Sequence, residues 1–301
     1  MVSPDFGQFS LRIGANVPLR SLSYRASGLS AGSPLLAFNL NLSREIIVMK
    51  PLPFLSAAVV FASFGASLPA VAAPPANAIK NIVLVHGAFA DGSGWKAVSD
   101  ILEKHGYKVS IAQPPETSLA DDTAAANRTI DAMGGPVILV GHSYGGVIIT
   151  EAGSNANVKA LVYVAAFQPD EGESFASLSA KIPSAAKSIK PSPDGFLYVD
   201  PADFHADFAA DVPAGMASFM ARSQVFPAAK IAGTAVTSPA WKTKPSFAVV
   251  ATGDRMINPD LERFMYKRSN AKTIELKGSH AIYVSQPKAV AALIEKAAAS
   301  Q

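Results

Sequence analysis

Ser143 lies in the run Pro136-Val-Ile-Leu-Val-Gly-His-Ser-Tyr-Gly-Gly-Val-Ile-Ile-Thr150, with Gly141 two residues before it and Gly145 two after. G-x-S-x-G between a β-branched apolar run and a second apolar run is the spacing of a strand, a sharp turn and a helix. A serine at the apex of such a turn needs neighbours without Cβ atoms, and the turn lifts its hydroxyl clear of the sheet. The first amides of the following helix, beginning with the Tyr144 N–H, then face the place where an oxyanion would form. A glycine-rich turn that merely holds a serine has the same spacing, so the rest of the chain must decide.

A serine hydroxyl attacks only when a base takes its proton, and the base needs an orienting acid. The chain has five histidines. His105 closes a helical stretch. His142, beside Ser143 in sequence, points away from its hydroxyl. His86 ends the first apolar strand, where it bonds loop backbone, and His205 falls in an irregular region. His280 remains, between the last strand and the last helix. Asp254 follows Val249-Val-Ala-Thr-Gly253 at the end of the penultimate strand. Asp260 and Glu262, on the next helix, read as solvated first-turn acids. The catalytic candidates are therefore Ser143, Asp254 and His280. A second oxyanion amide is expected from Ala88, directly after His86-Gly87.

The elements that must position these groups follow from periodicity. Lys80 to Gly87, Lys108 to Gln113, Pro136 to Val140, Ala160 to Phe167, Ser246 to Thr252 and Thr273 to Leu276 read as strands. Helical spacing runs from Trp95 to His105, from Ser118 to Met133, from Gly145 to about 154, from Pro259 to Arg268 and from Pro287 to Ala299. Ser118 is the N-cap of the second helix, with Asp121 and Asp122 in its first turns, where the helix dipole favours anions. Strands apolar on both faces, alternating with helices, imply an α/β fold with a mostly parallel sheet and helices on both faces. The alternation breaks between about 168 and 244, a Pro-, Ala- and Phe-rich stretch without a strong strand that reads as an inserted cap over the carboxyl ends of the strands. Phe89, Phe167, Phe208 and Phe219 are the candidate pocket residues, with no cation or phosphate anchor among them.

Composition divides the chain. Residues 1 to 72 hold five Lys plus Arg and two Asp plus Glu, leaving 21 of each sign in residues 73 to 301. The formal net charge of +3 thus belongs to the first segment, and the remainder shows no basic stripe for nucleic acid. Met49-Lys50, the apolar run 54–64 and Ala70-Val-Ala72 form the pattern of a signal peptide over 49–72, cleaved after Ala72. Residues 1–48, Ser- and Arg-rich and aperiodic, read as an upstream extension or a disordered tail. Residues 73–301 form one domain of sufficient size for a full core, secreted or periplasmic and without a stable membrane span. The chain contains no cysteine, which excludes disulfides and thiolate chemistry.

His86-Gly87-Ala88-Phe89, Gly141-His-Ser-Tyr-Gly-Gly146, Gly253-Asp254 and Ser279-His-Ala281, together with Asp200-Pro-Ala-Asp-Phe-His-Ala-Asp-Phe208, resemble the α/β-hydrolase superfamily. The resemblance is to its branch of small cofactor-free esterases related to plant methyl-ester esterases and hydroxynitrile lyases, and it covers residues 80 to about 298. It implies an α/β-hydrolase fold, a Ser143–Asp254–His280 triad, oxyanion donors at Ala88 and Tyr144, no cofactor, and a small-molecule ester as substrate. Lyase members carry a threonine after the first-strand histidine and a lysine after the catalytic histidine. Here Gly87 and Ala281 stand in those places, which favours a serine carboxylesterase over lyase chemistry. A non-hydrolytic member of the fold, a lyase or a small-ligand binder, is the alternative.

Overall fold

A computed structural model describes residues 74–301. The signal-peptide and upstream-extension readings, over 1–72, lie outside the described residues.

Asn81–Val85 (β1), Lys108–Ala112 (β2), Val137–Ser143 (β3), Val158–Ala166 (β4), Ser246–Ala251 (β7) and Lys272–Leu276 (β8) form one six-stranded sheet in the order β2-β1-β3-β4-β7-β8. Every neighbouring pair in it is parallel. The burial of each strand follows its place. β3 and β7 are buried at every residue, whereas the outermost strand β8 is exposed or half-buried throughout and begins with Lys272. The central strands are the near-continuous Val, Ile, Leu and Ala runs that a sheet covered on both faces requires. A Lys at the start of an outer strand discourages pairing with another chain.

The covering helices are Lys96–Lys104 (α1), Leu119–Ala132 (α2), Gly145–Ala152 (α3), Pro259–Arg268 (α7) and Pro287–Ala299 (α9), with a one-turn Ile282–Ser285 (α8) before the last. Their starts are chemically marked. The Ser118 side chain accepts from Asp121 N at the head of α2, and Asn258 accepts from Asp260 N ahead of Pro259 at the head of α7. Such caps satisfy amides that the helix itself leaves open. The apolar face of α9, from Val290 through Leu293 and Ile294 to Ala298, is buried against the sheet.

Strand order reverses between β1 and β3. β2 lies on one side of β1, and the chain then crosses to build β3, β4, β7 and β8 on the other. The loops leaving β1 and β3 therefore run in opposite directions and leave a crevice at the carboxyl ends, where open α/β sheets bind ligands. The register pairs Val85 with Gly141, so His86 and Ala88 emerge beside the Ser143 turn.

Between β4 and β7 the chain forms Phe175–Lys181 (α4), Ile189–Pro191 (β5), Leu197–Val199 (β6), Pro201–Asp207 (α5) and Ala214–Arg222 (α6). The expectation of no strong strand here needs amending. β5 and β6 pair antiparallel as a short hairpin apart from the main sheet. Three residues per strand, one of them Pro191, give too little alternation for a period of two to be visible. Among the described residues, no helix is long and apolar enough to cross a membrane.

Candidate active site

Ser143 holds φ at 55°, in the left-handed region. For a residue with a Cβ this backbone is strained, and the packing around the turn imposes it. A Cβ on Gly141 would lie 2.5 Å from Gly145 O, and one on Gly145 would lie 2.6 Å from His86 O. The two glycines let β3, α3 and the loop after β1 close on one another. Phe89, in that loop, also has positive φ, 63°. Two strained non-glycine residues thus face each other across the crevice.

The N–H groups of Ala88 and Tyr144 donate to no acceptor among the described residues. Both residues line the same cavity as Ser143. Tyr144 is the N-cap of α3, where the helix leaves its first amides free. Two unengaged amides, one from each loop, thus border the cavity that holds Ser143.

His280 Nδ1 donates to Asp254 Oδ2 at 2.6 Å, with both side chains buried. The other carboxylate oxygen of Asp254 accepts from Met256 N at 2.7 Å and Ile257 N at 2.9 Å. These amides fix the carboxylate on the turn after β7, and the carboxylate fixes the ring and its tautomer. Two further contacts hold the His280 loop to the segment between β4 and β7. Ala281 N donates to Phe208 O at 3.0 Å, and the Ser279 hydroxyl donates to Asp211. Among the described residues, the Ser143 hydroxyl forms no hydrogen bond. Contacts of this kind are commonly loose without substrate.

His142 faces away from the cavity. Its Nε2 donates to His280 O at 3.0 Å, and its ring packs against Tyr283 and His280 with centroids 4.3 Å and 4.6 Å apart. Complete burial, reinforced by His280, holds its basicity well below the usual histidine range, so the ring is neutral. It supports the loop carrying His280 by packing and by one donor. His86 turns to backbone, its Nδ1 donating to Gly87 O at 3.1 Å. His105 caps α1 and pairs with Glu295, and His205 Nε2 bonds Val212 O.

The cavity at Ser143 has a volume of about 220 Å³ and an apolar lining. Phe89, Tyr144 and Phe167 line it together with Phe175, Ile189, Leu197 and Pro227 from the segment between β4 and β7, the Phe175 ring packing against both Tyr144 and Phe167, and with Met256 and Ile257 from the turn after Asp254. Phe89 and Phe167 thus stand where the sequence placed them, whereas two candidates do not. Phe208 lies outside the lining and stacks edge-on against His280 at 4.8 Å. Phe219 is 47 % exposed and borders a separate surface groove with Met216. In an irregular stretch no period tells which face of a short helix turns inward, so these two could not be separated from the wall residues. Met256 and Ile257, which sequence reasoning missed, follow Asp254 directly, and that adjacency is the signal that could have found them.

Two acids also depart from expectation. Glu262 is fully buried. Its Oε2 accepts from Ala251 N at 3.1 Å, which tips the first turn of α7 toward the end of β7 rather than toward water. Asp122 is buried as well. It accepts from Tyr144 Oη at 2.7 Å and from Glu116 N at 2.6 Å, in place of a purely dipolar role at the head of α2. A carboxylate in a first turn has the same sequence whether it faces solvent or core.

A parallel sheet of this order, a strained serine at the β3–α3 turn and an imidazole–carboxylate pair beyond β7 and β8 define an α/β hydrolase. The chain belongs to the alpha/beta hydrolase family, whose pattern it matches over residues 82–293. A carbendazim-hydrolyzing esterase of Nocardioides sp. (strain SG-4G) is 33% identical over 115 residues, covering 34% of this chain and 48% of that protein. The match therefore spans about half the length of that relative. Among solved structures, the pyrethroid hydrolase PytH superposes with a TM-score of 0.65 at 24% identity, over 74% of this chain and 98% of its own. Polyneuridine aldehyde esterase does so with a TM-score of 0.62 at 16% identity, over 72% and 98%. An extracellular α/β-hydrolase from a Paenibacillus species gives 0.61 at 20% identity, over 73% and 99%. These neighbours share the fold.

Proposed function

We propose that the protein is a serine carboxylesterase that cleaves small to medium hydrophobic esters through an acyl-enzyme. The observation that carries the reading is the buried 2.6 Å His280–Asp254 hydrogen bond, set at the same sheet edge as the strained Ser143 turn and two unengaged amides. In this reading His280 takes the proton of Ser143 as the hydroxyl oxygen attacks the ester carbon. The carbonyl oxygen becomes an oxyanion held by the N–H groups of Ala88 and Tyr144. Collapse returns the carbonyl and expels the alcohol, which leaves with the proton from His280. Water then repeats the sequence on the acyl-enzyme, releasing the acid and restoring the serine.

The apolar cavity of about 220 Å³ supports a neutral substrate of modest size. The segment from 168 to 244 acts as the cap, supplying half of that wall. Gly87 speaks against the lyase alternative. A Cβ there would lie 2.6 Å from both Ser143 Cβ and His142 O, so the threonine of lyase members would displace the elbow. Esterase and hydrolase activities named for the relatives agree in kind.

Hydrolysis of p-nitrophenyl esters from acetate to long-chain, by protein beginning at Ala73 and by its Ser143→Ala variant, tests the reading. Turnover that peaks at short to medium acyl length and falls by several orders of magnitude in the variant is expected; equal turnover in the two proteins would end the serine mechanism. Export to the periplasm or medium is part of the proposal and rests on the Met49 to Ala72 pattern. A mature amino terminus near Ala73 in the exported protein is the expected result.

A further inference from the structure

Behind Asp254 stands a second carboxyl group that the acyl-enzyme sequence does not use. Glu262 is fully buried at the head of α7. One of its oxygens accepts from Ala251 N at 3.1 Å, and Ala251 O in turn accepts from Asp254 N at 3.0 Å, which sets the carboxyl at the turn that carries Asp254; the other oxygen, Oε1, has no N–H or O–H donor among the described residues. Asp254 already accepts three bonds, from Met256 N, Ile257 N and His280 Nδ1. Its place as the acceptor of backbone amides and of the imidazole identifies it as the ionised member.

Among the described residues no cation bonds Glu262. Arg263, next in sequence, is turned outward onto Asp260 and Glu275. Arg255 is spent on Asp207. Of the other titratable groups around Glu262, Tyr266 donates its hydroxyl to Ala166 O, and Tyr163 bonds Thr150. Two adjacent carboxylates in a dry site without a cation cannot both stay ionised. Burial and the Asp254 charge hold the Glu262 carboxyl well above the usual carboxylate range, so Glu262 keeps its proton. A protonated carboxyl has one O–H to place, and Asp254 is the acceptor beside it.

We infer that Glu262 is a positioning residue at the acid end of the triad, its neutral carboxyl donating an O–H···O hydrogen bond to Asp254 and spreading over two carboxyl groups the charge that His280 meets. The inference rests on the proposed roles of Asp254 and His280. With the donor in place, Asp254 shares its charge with Glu262 and holds the His280 Nδ1–H less strongly than a bare carboxylate would.

The test compares Glu262→Gln, which keeps a donor of the same shape, with Glu262→Met, which removes it. The readouts are kcat/KM for a p-nitrophenyl ester as a function of pH and the imidazole Nδ1–H proton resonance of His280. Glu262→Gln is expected to leave kcat/KM at neutral pH within about twofold and the acid limb in place, while Glu262→Met moves that limb upward by about half a pH unit or more and shifts the resonance. A downward move of the limb in Glu262→Gln would show that an ionised carboxylate had been removed, and would overturn the inference. Equal displacement by both variants, or lowered Tm with an unmoved limb in both, would reduce Glu262 to a packing residue. If Glu262→Met does not fold, the direction of the limb in Glu262→Gln decides alone. The resonance is also read in Ser143→Ala protein, which needs no turnover. A shift present there with inactive wild type would sink the esterase reading and keep the carboxyl pair; the reverse would do the opposite.

Discussion

Two buried clusters flank the Ser143 turn, and each contains a histidine and two carboxyl groups. On one side are His280, Asp254 and Glu262; on the other are His86, Glu116 and Asp122, with Tyr144. Residue type and burial barely distinguish them, yet their bonding does. His280 gives its Nδ1 proton to a carboxylate at 2.6 Å, so that carboxylate orients the ring. His86 gives its Nδ1 proton to Gly87 O, and the Glu116 carboxyl stands 3.5 Å away. Burial holds the basicity of His86 below the usual histidine range and raises the Glu116 carboxyl well above its own, so the two are neutral neighbours rather than an ion pair. Asp122 spends its oxygens on Tyr144 Oη and Glu116 N. In the proposed mechanism the first cluster moves a proton to and from Ser143. The second holds still the ring and the loop that frame the oxyanion position. What a His and two acids do is set by where the imidazole proton is donated.

The difference is sharpest in the acid of each cluster. Asp254→Asn keeps the shape but offers His280 the wrong partner, and kcat is expected to fall by about four orders of magnitude, as loss of the orienting carboxylate does in related geometries. Asp122→Asn is expected to lower kcat by less than about tenfold, because Asp122 bonds Tyr144 Oη and Glu116 N and not His280. Steady-state kinetics on one ester measures both. Equal losses would mean that the second cluster also handles the reacting proton, and the division drawn above would fail.

Tyr144→Phe removes a hydroxyl that donates to Asp122 at 2.7 Å and leaves the buried carboxylate one partner short. The expected cost is roughly 1–3 kcal/mol of stability in a urea titration. kcat should change little, because the oxyanion donor at 144 is a backbone N–H. A large fall in kcat with unchanged stability would move the Tyr144 side chain from scaffold to chemistry.

Stability against pH separates the buried carboxyl groups from the buried histidines by sign. Glu116 and Glu262 have folded values raised above an unfolded value of 4.5, by burial first and by Asp122 and Asp254 second. Their contribution is complete below that unfolded value and is lost as pH rises through the raised folded values. His86 and His142 have folded values lowered from 6.5 by burial, so theirs is complete above the unfolded value and lost as pH falls through the lowered ones. Tm should therefore decline toward both ends. Glu116→Gln should flatten the alkaline decline by up to about 1.4 kcal/mol per pH unit over the range in which only the native carboxyl stays protonated. An unaltered alkaline slope would mean that Glu116 is ionised in the folded protein.

Much of this was legible in the sequence because strong local constraints wrote it there. Apolar runs without alternation marked the buried strands, Ser118 marked a helix start, and the G-x-S-x-G spacing marked a turn that tolerates little else. Asp254 and His280 were named as candidates because each comes within a few residues of a strand end, and topology brings those ends to one edge. What stayed hidden depends on rotation about short helices and on tertiary company. Glu262 and Asp122 lie in first turns where an acid is favourable whichever way it points, and only the packed fold shows them turned inward. The β5–β6 hairpin is too short to show a period. The aromatic residues of the 168–244 segment shared one composition and no register.

The smallest expected effects come from that same aromatic set and sort it between the clusters. Phe208 meets the His280 ring edge-on at 4.8 Å and gives its carbonyl to Ala281 N, so it belongs to the proton-moving cluster. Phe208→Leu keeps the backbone bond and much of the volume, yet removes an aromatic contact of about 0.5–1.5 kcal/mol. Its effect is expected in kcat, by up to about tenfold, because the ring it loosens must stay aligned with Ser143. Phe219 touches neither cluster and is 47 % exposed on the outer groove. Phe219→Ser is expected to leave kcat/KM within about twofold and stability within about 0.5 kcal/mol. If Phe219→Ser were to change KM for long-chain esters while leaving short-chain esters untouched, the outer groove would be part of the substrate path. The boundary of the site would then extend beyond the cavity between Phe89 and Phe175.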